Sequence, residues 1–182
     1  MLWPFSRRET PGTPSRGTIE AIYGMIVAQA REPLFYQGLG VPDTVNGRFD
    51  MVVLHLWMVL RRLRAAGKGA SLAQALFDKF CDDMDDNLRE MGVSDTTVPR
   101  KMKAFGEAFY GRGMAYDKAL EAGGPALAQA LARNILNSDE GAAGEPLAAY
   151  VRRTIAALEA VADDAVADGR FGFQAPVVEP SA

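Results

Sequence analysis

Apolar residues recur at helical spacing along most of the chain. The first such stretch covers residues 18–31, where Ile19, Ile22, Tyr23, Ile26 and Val27 follow the i, i+3, i+4 pattern of one helix face. Similar stretches cover residues 44–66, 71–91, 97–122, 126–136 and 147–167. No segment alternates apolar and polar residues as a half-buried strand does. The pattern predicts an all-α protein, a single compact bundle of about six helices.

Prolines and glycines mark the limits of this bundle. Residues 1–17 contain three prolines and three arginines without periodicity, which predicts a flexible arm. Residues 169–182 predict a flexible tail, which leaves residues 18–168 as one helical domain. One extra helical turn is expected at residues 34–37, and residues 138–146 predict a flexible connection. Trp3 and Phe5 lie beside two arginines, so contact of this arm with a membrane surface is an alternative interpretation.

The second predicted helix is apolar on every side between Met51 and Leu60, with His55 as the polar exception. A helix of this kind lies at the centre of a bundle. We therefore expect His55 to be a core residue that makes a hydrogen bond through one ring nitrogen.

The second helix ends near Arg61, Arg62 and Arg64, which indicate where it reaches solvent. Ser71 is expected to cap the third helix, which follows.

Composition and motifs exclude several classes of function. A net charge of −3 argues against general nucleic-acid binding, and the single Cys81 excludes an internal disulfide. The acidic run at residues 82–86 would spread its carboxylates around a helix, so no metal site is predicted. No cofactor motif or catalytic pair is present, so the chain is not expected to be an enzyme. The absence of a secretory signal predicts a cytoplasmic location, with inner-membrane contact left open.

The fourth predicted helix carries an arginine on its apolar side. At 100° per residue, Arg112 falls about 20° from the centre of the apolar stripe, between Phe109 and Tyr116. An unpaired buried guanidinium would cost several kcal/mol, on the order expected for a lone buried charge. We expect Arg112 either to pair internally with Asp50 or Asp83, or to reach a groove and contact a partner.

Three glycines, Gly106, Gly111 and Gly113, lie in the same helix. Each costs about 1 kcal/mol relative to alanine, which suggests that another backbone, internal or foreign, approaches this helix closely. Arg100, Lys101 and Lys103 open the helix, where positive charge is unfavourable unless an anionic or acidic partner meets it. A merely soluble basic surface is the alternative interpretation.

Two blocks of unusual sequence carry a family resemblance. The resemblance rests on Phe35-Tyr36, Gly40-Val41-Pro42-Asp43-Thr44, Gly47-Arg48-Phe49-Asp50, His55, Asp83-Met84-Asp85, Leu88-Arg89-Glu90-Met91-Gly92 and Phe109-Tyr110-Gly111-Arg112. In this combination the chain resembles the ubiquinol-cytochrome c chaperone family, the assembly factors of the cytochrome bc1 complex. The resemblance covers roughly residues 18–120.

The resemblance implies a chaperone that binds newly made cytochrome b before haem insertion. It also implies contacts with the ribosomal tunnel exit and with a small partner protein. We expect the binding surface to be concave and to receive an apolar segment, because exposed aromatic residues beside glycine-rich loops are costly unless covered. The predicted partner-binding residues are Phe35, Tyr36, Pro42, Asp43, Arg48, Asp83, Arg100, Lys101, Lys103, Tyr110 and Arg112.

A second hypothesis is a helical carrier of an apolar small molecule, such as a quinone, a lipid or haem. Such a ligand would lie between helices lined by Phe35, Tyr36, Trp57 and Phe109. A ligand released under denaturing mass spectrometry would favour this hypothesis over the chaperone.

Overall fold

The protein was analysed as a computed structural model, which describes residues 14–178. Its helices are α1 (Arg16–Ala30), α2 (Pro33–Gln37), α3 (Val45–Ala65), α4 (Ala70–Glu90), α5 (Val98–Ala122), α6 (Ala126–Leu131), α7 (Glu145–Glu159) and α8 (Asp163–Ala167). A π-helical turn, Ala132–Leu136, extends α6, and a 3-10 turn, Gly141–Gly144, leads into α7. Residues 14–178 contain no strand. The predicted all-α fold is confirmed.

The helix starts follow from local capping. Ser15 Oγ accepts a hydrogen bond from the Thr18 amide at 3.1 Å, so α1 begins two residues earlier than predicted. The prediction that Ser71 caps α4 is wrong, because the helix already begins at Ala70 after Gly69. At Gly69 the chain turns so tightly that a Cβ atom would lie 2.1 Å from the Leu63 carbonyl oxygen. Most of the predicted arm, including its membrane contact through residues 3 and 5, lies outside the described residues.

Helix α3 lies at the centre of the bundle, as the sequence predicts. Its Leu54, Trp57 and Met58 pack into a cluster with α6 and α7. Its Val53, Leu56 and Leu60 pack into a second cluster with α1 and α4. A helix that is apolar on all sides thereby buries two faces at once. Even so, among residues 14–178 no helix has the length and apolar character needed to cross a bilayer.

The last predicted helix is interrupted, and a buried arginine explains the break. Helix α7 ends at Glu159 and α8 starts at Asp163, where a single helix to residue 167 was expected. Arg62 donates to the carbonyl oxygens of Leu158 and Val161 and forms an ion pair with Asp163 at 2.7 Å. These contacts satisfy backbone groups that the break leaves free. Arg62 is therefore buried, and its predicted place at the exit to solvent is wrong.

The segment after α8 lies against the bundle. Phe171 and Phe173 pack on both core clusters, although the sequence predicts a tail from residue 169 onwards. The Gln174 carbonyl oxygen accepts a hydrogen bond from the Gln29 side chain at 2.8 Å. Further along, Val178 lies close enough to Gly38 that a Cβ atom at Gly38 would stand 2.6 Å from its methyl group. We call residues 169–178 the C-terminal strap.

Candidate partner-binding groove

Four helices leave an apolar groove between them. The groove has a volume of about 350 Å³ and lies between the second half of α1, the first turns of α3, the end of α4 and the start of α5. Its apolar lining consists mainly of Val27, Phe49, Val52, Met84, Leu88 and Phe105. At its rim Val45 is 74% exposed and Met91 is 63% exposed. Large apolar side chains held in water at the rim of a groove are a feature of interaction sites.

Contacts between tilted aromatic rings hold the wall of the groove on α3. The Phe49 ring lies 4.9 Å from the Phe105 ring and 6.1 Å from the Phe80 ring, measured between centroids. Tyr23 of α1 donates a hydrogen bond to the Asp83 carboxylate of α4 at 2.9 Å, which ties the two outer helices together. Burial and the neighbouring Asp83 carboxylate raise the pKa of Tyr23, so its hydroxyl stays a donor. The groove is therefore a preformed feature of the bundle.

The loop before α3 brings three of the predicted binding residues together at one edge of the groove. The Arg48 Nε atom lies 2.8 Å from an Asp43 carboxylate oxygen, and the Arg48 guanidinium lies 5.8 Å from the centre of the Tyr36 ring. Tyr36 donates to the Ala30 carbonyl oxygen at 2.6 Å, and partial burial raises its pKa. Of these residues, Arg48 lines the groove itself.

The turn at Pro42 explains the glycine that follows it. A Cβ atom at Gly47 would lie 2.0 Å from the Pro42 carbonyl oxygen, so no larger residue fits there. The Gly47 amide donates to Thr44 Oγ1 at 3.1 Å and starts α3. Pro42 is half-buried, and its role is to shape the loop that carries Arg48.

Phe35 does not belong to the surface, and its predicted exposure is wrong. The side chain is fully buried and packs edge-on against Tyr150 and His55, with centroid distances of 4.9 and 5.4 Å. The short helix α2 turns Phe35 inward because this face meets α3 and α7. A partner therefore cannot touch Phe35 in this conformation.

Arg112 forms the internal ion pair with Asp50. Its Nη2 atom lies 2.7 Å from Asp50 Oδ1, and the two side chains are 23% and 6% exposed. The N–H groups are poorly aligned, since Oδ1 has no hydrogen-bond partner among the described residues. Burial raises the pKa of Asp50 to about 6, against the opposing effect of Arg112. Asp83, the other candidate acceptor, instead accepts the Tyr23 hydrogen bond and lines the groove.

The remaining predicted residues are exposed on α5 but do not line the groove. Arg100, Lys101 and Lys103 extend into solvent, and Lys103 lies 3.7 Å from Glu107. Tyr110 is 54% exposed and contacts the Phe77 ring at 5.6 Å. The structure thus separates the eleven predicted residues into a groove edge, a basic helix start, buried or partly buried structural positions, and the exposed Tyr110 in the middle of α5.

His55 is a fully buried core residue, as expected, but both of its ring nitrogens are engaged. Nδ1 lies 2.7 Å from the Met51 carbonyl oxygen and Nε2 lies 2.8 Å from the Tyr150 hydroxyl. Burial lowers its pKa to about 4, which keeps the ring neutral. Nδ1 therefore donates to the carbonyl oxygen, and Nε2 accepts from the tyrosine.

The rings expected to line a small-molecule cavity are mostly core residues. Phe35 and Trp57 are packed in one core cluster, and Phe109 is packed in the other. Within residues 14–178 no group of three or more potential metal ligands comes together. The packing of these three rings in the core does not favour the carrier hypothesis.

Several groove residues were not predicted. Val27 and Arg31 belong to the end of α1, Val45 to the start of α3 and Phe105 to α5, so no single local motif joins all four. Val45 carried the one available signal, because it is an apolar residue directly after the Thr44 cap, among polar neighbours. A site built from four separate helices has no signature in any one of them.

Comparison with known proteins agrees with this architecture. The family model described as Ubiquinol-cytochrome C chaperone matches residues 37–174. Ubiquinol-cytochrome-c reductase complex assembly factor 1 of Xenopus laevis is 30% identical over 152 residues, which cover 81% of this chain and 76% of that protein. Protein CBP3, mitochondrial, of Saccharomyces cerevisiae is 28% identical over 152 residues, covering 80% of this chain and 45% of the yeast protein. The crystal structure of the Cbp3 homolog from Brucella abortus superposes with a TM-score of 0.79 at 38% identity, covering 87% of this chain and 89% of that chain.

The matched range extends beyond the motifs that first indicated it. The resemblance read from the sequence ends near residue 120, whereas the family match continues through α6, α7 and most of the C-terminal strap. It begins at residue 37, after α1. The chain spans less than half of the yeast protein's length, so the match describes a shared domain. On this evidence the chain belongs to the ubiquinol-cytochrome c chaperone family.

Proposed function

We propose that this protein is an assembly chaperone of the ubiquinol-cytochrome c reductase complex and that its groove binds an apolar segment of newly made cytochrome b. Relatives named as assembly factors of that complex support the first part. The observation that carries the second part is the apolar groove, with Val45 and Met91 exposed at its rim. Binding in the groove would cover apolar surface on the client and on the chaperone together.

The form of the groove suits temporary binding. Its walls contain Met84 and Met91, whose flexible side chains adapt to different apolar shapes. A volume of about 350 Å³ accepts a few side chains and not a whole membrane helix. A contact of this size can hold a client during maturation and release it afterwards. Because cytochrome b is a membrane protein, we place this event at the cytoplasmic face of the membrane.

The genetic test uses the assembled complex as its readout. Deletion of the gene should lower the b-type haem signal in reduced-minus-oxidised difference spectra of membranes and leave unrelated respiratory enzymes intact. Met91→Glu should fail to restore the signal, because it places a charge at the apolar rim of the groove. Met114→Glu is the matched control, since Met114 is 73% exposed and does not line the groove. An unchanged cytochrome b signal in the deletion strain would contradict the proposed function.

Site-specific crosslinking tests the location directly. A photocrosslinker at Val45 or Met91 should capture newly made cytochrome b, and one at Met114 should not. If only photocrosslinkers placed at Met114 or in α7 captured cytochrome b, the client would bind outside the groove. The ribosome and the small partner protein that the resemblance implies stay predictions.

A further inference from the structure

Two arginines stand at the edge of the groove. Arg31, the C-cap residue of α1, and Arg48, in the first turns of α3, both line it and are both exposed. The ion pair of Arg48 with Asp43 leaves each side chain 58% exposed, so water screens much of their interaction. Arg31 takes part in none of the ion pairs found among residues 14–178. At this edge Arg48 therefore shares its charge with Asp43, whereas the positive charge of Arg31 has no ion-pair partner among the described residues.

The backbone adds to this positive edge. Helix α3 is 21 residues long and begins at Val45, which lines the groove together with Asn46. The N-terminal end of a helix carries partial positive charge from its free N–H groups. Thr44 Oγ1 accepts a hydrogen bond from the Gly47 amide. The amides of Val45 and Asn46 belong to the helix start that lies at the groove edge.

The acidic residue on the opposite wall is already engaged. Asp83 accepts a hydrogen bond from the Tyr23 hydroxyl at 2.9 Å and a longer one from Asn87 at 3.4 Å. Its carboxylate thus interacts with the protein's own donors, whereas Arg31 faces solvent beside the apolar floor. Tyr23 and Asn87 are neutral donors, so Asp83 keeps its negative charge, but the groove lining holds two arginines against this one carboxylate and its formal charge is positive.

We propose that the segment bound in this groove carries a carboxylate directly beside its apolar side chains. The apolar residues would fill the space over Phe49, Val52 and Leu88, and an Asp or Glu of the same segment would meet Arg31 and Arg48 at the edge. This inference rests on the proposed function, because it describes the client segment for the same groove. A lysine at that position would place like charges together and would weaken binding.

Three labelled peptides test the proposal with the whole chain. The peptides share one apolar helical core of leucine and phenylalanine and carry Glu, Gln or Lys beside it, and binding is followed by fluorescence anisotropy. We expect the Glu peptide to bind about three- to tenfold more tightly than the Gln peptide, with the Lys peptide weakest, since rim charges act in this range. The difference should shrink in high salt.

Charge reversal identifies the responsible arginine. Arg31→Glu should reverse the order so that the Lys peptide binds best. Arg64→Glu is the matched control, because Arg64 is an exposed cation in the last turn of α3, away from the groove. It should leave the order unchanged.

Three results would overturn this inference. Equal binding of the three peptides, or an order that Arg31→Glu does not change, would show that the groove does not read the carboxylate. A preference for the Lys peptide would point to the acidic face of α4 instead. Any of these results together with a loss of peptide binding in Met91→Glu leaves the proposed function standing. Normal bc1 assembly in Met91→Glu cells would count against the function itself.

Discussion

Arg112 of α5 and Asp50 of α3 lie 2.7 Å apart, between Nη2 and Oδ1, beneath the wall of the groove. The same guanidinium lies 5.7 Å from the centre of the Phe49 ring, which lines the groove. The pair thus joins two helices and supports an aromatic side chain of the candidate binding surface. The sequence left open whether Arg112 pairs internally or contacts a partner, and the ion pair with Asp50 is the internal arrangement.

Removal of this arginine should destabilise the fold. Arg112→Met keeps most of the side-chain volume but leaves Asp50 as an unpaired, buried carboxylate. We expect the free energy of unfolding to fall by about 3 kcal/mol, near the lower end for a broken buried ion pair, because Arg112 is partly exposed. Denaturant unfolding measures this change, with the exposed Arg100→Met as control. Equal stability of the two variants would mean that the pair contributes nothing.

Asp50 should also make stability depend on pH. Burial raises its folded-state pKa from 3.8 to about 6, so the folded protein binds a proton more readily than the unfolded chain. The stability that this proton contributes is fully present below pH 4 and is lost as the pH rises through 6.

Asn at position 50 cannot titrate, and it isolates this effect. The difference in free energy of unfolding between wild type and Asp50→Asn should therefore fall by about 2–3 kcal/mol between pH 4 and 7. Urea unfolding at several pH values measures it. A difference that rises with pH would show that the ion pair with Arg112 dominates over burial.

The C-terminal strap should contribute to stability. Phe173 lies 5.1 Å from the buried His55 ring and packs on both core clusters. Phe173→Ala should lower the free energy of unfolding by about 2–3 kcal/mol, less than for a fully buried phenylalanine. Val177, which is 51% exposed in the same segment, provides the control Val177→Ala. Similar small losses in both variants would show that the strap is not part of the folded core.

The glycines of α5 should respond differently to alanine. A Cβ atom at Gly106 or Gly111 meets nothing within 4 Å, so no internal backbone approaches them, whereas one at Gly113 would lie 3.3 Å from Trp57. Gly111→Ala should raise the free energy of unfolding by about 0.5–1 kcal/mol, because alanine loses less conformational entropy in a helix. Gly113→Ala should gain less or lose stability, since the buried indole must shift. Thermal unfolding of both variants compares them, and an equal gain would contradict the packing at Gly113.

Some features of this protein were determined by the sequence alone. The periodic apolar stripes predicted the helices, and the run around His55 identified α3 as the central helix. The angular position of Arg112 predicted either an internal pair, with Asp50 and Asp83 as candidates, or a contact with a partner in a groove, and the structure shows the pair with Asp50. Each of these follows from helical geometry within one element, or from a motif of neighbouring residues.

The tertiary structure decided the rest. The groove, the burial of Phe35, the role of Arg62 and the packing of Phe173 all depend on residues far apart in the chain. Arg62 illustrates the reason, because its charge at a helix end predicts solvent, yet it binds backbone groups about 100 positions later. A helix pattern states which face is apolar, but the angles and distances at which several helices pack determine which side chains meet.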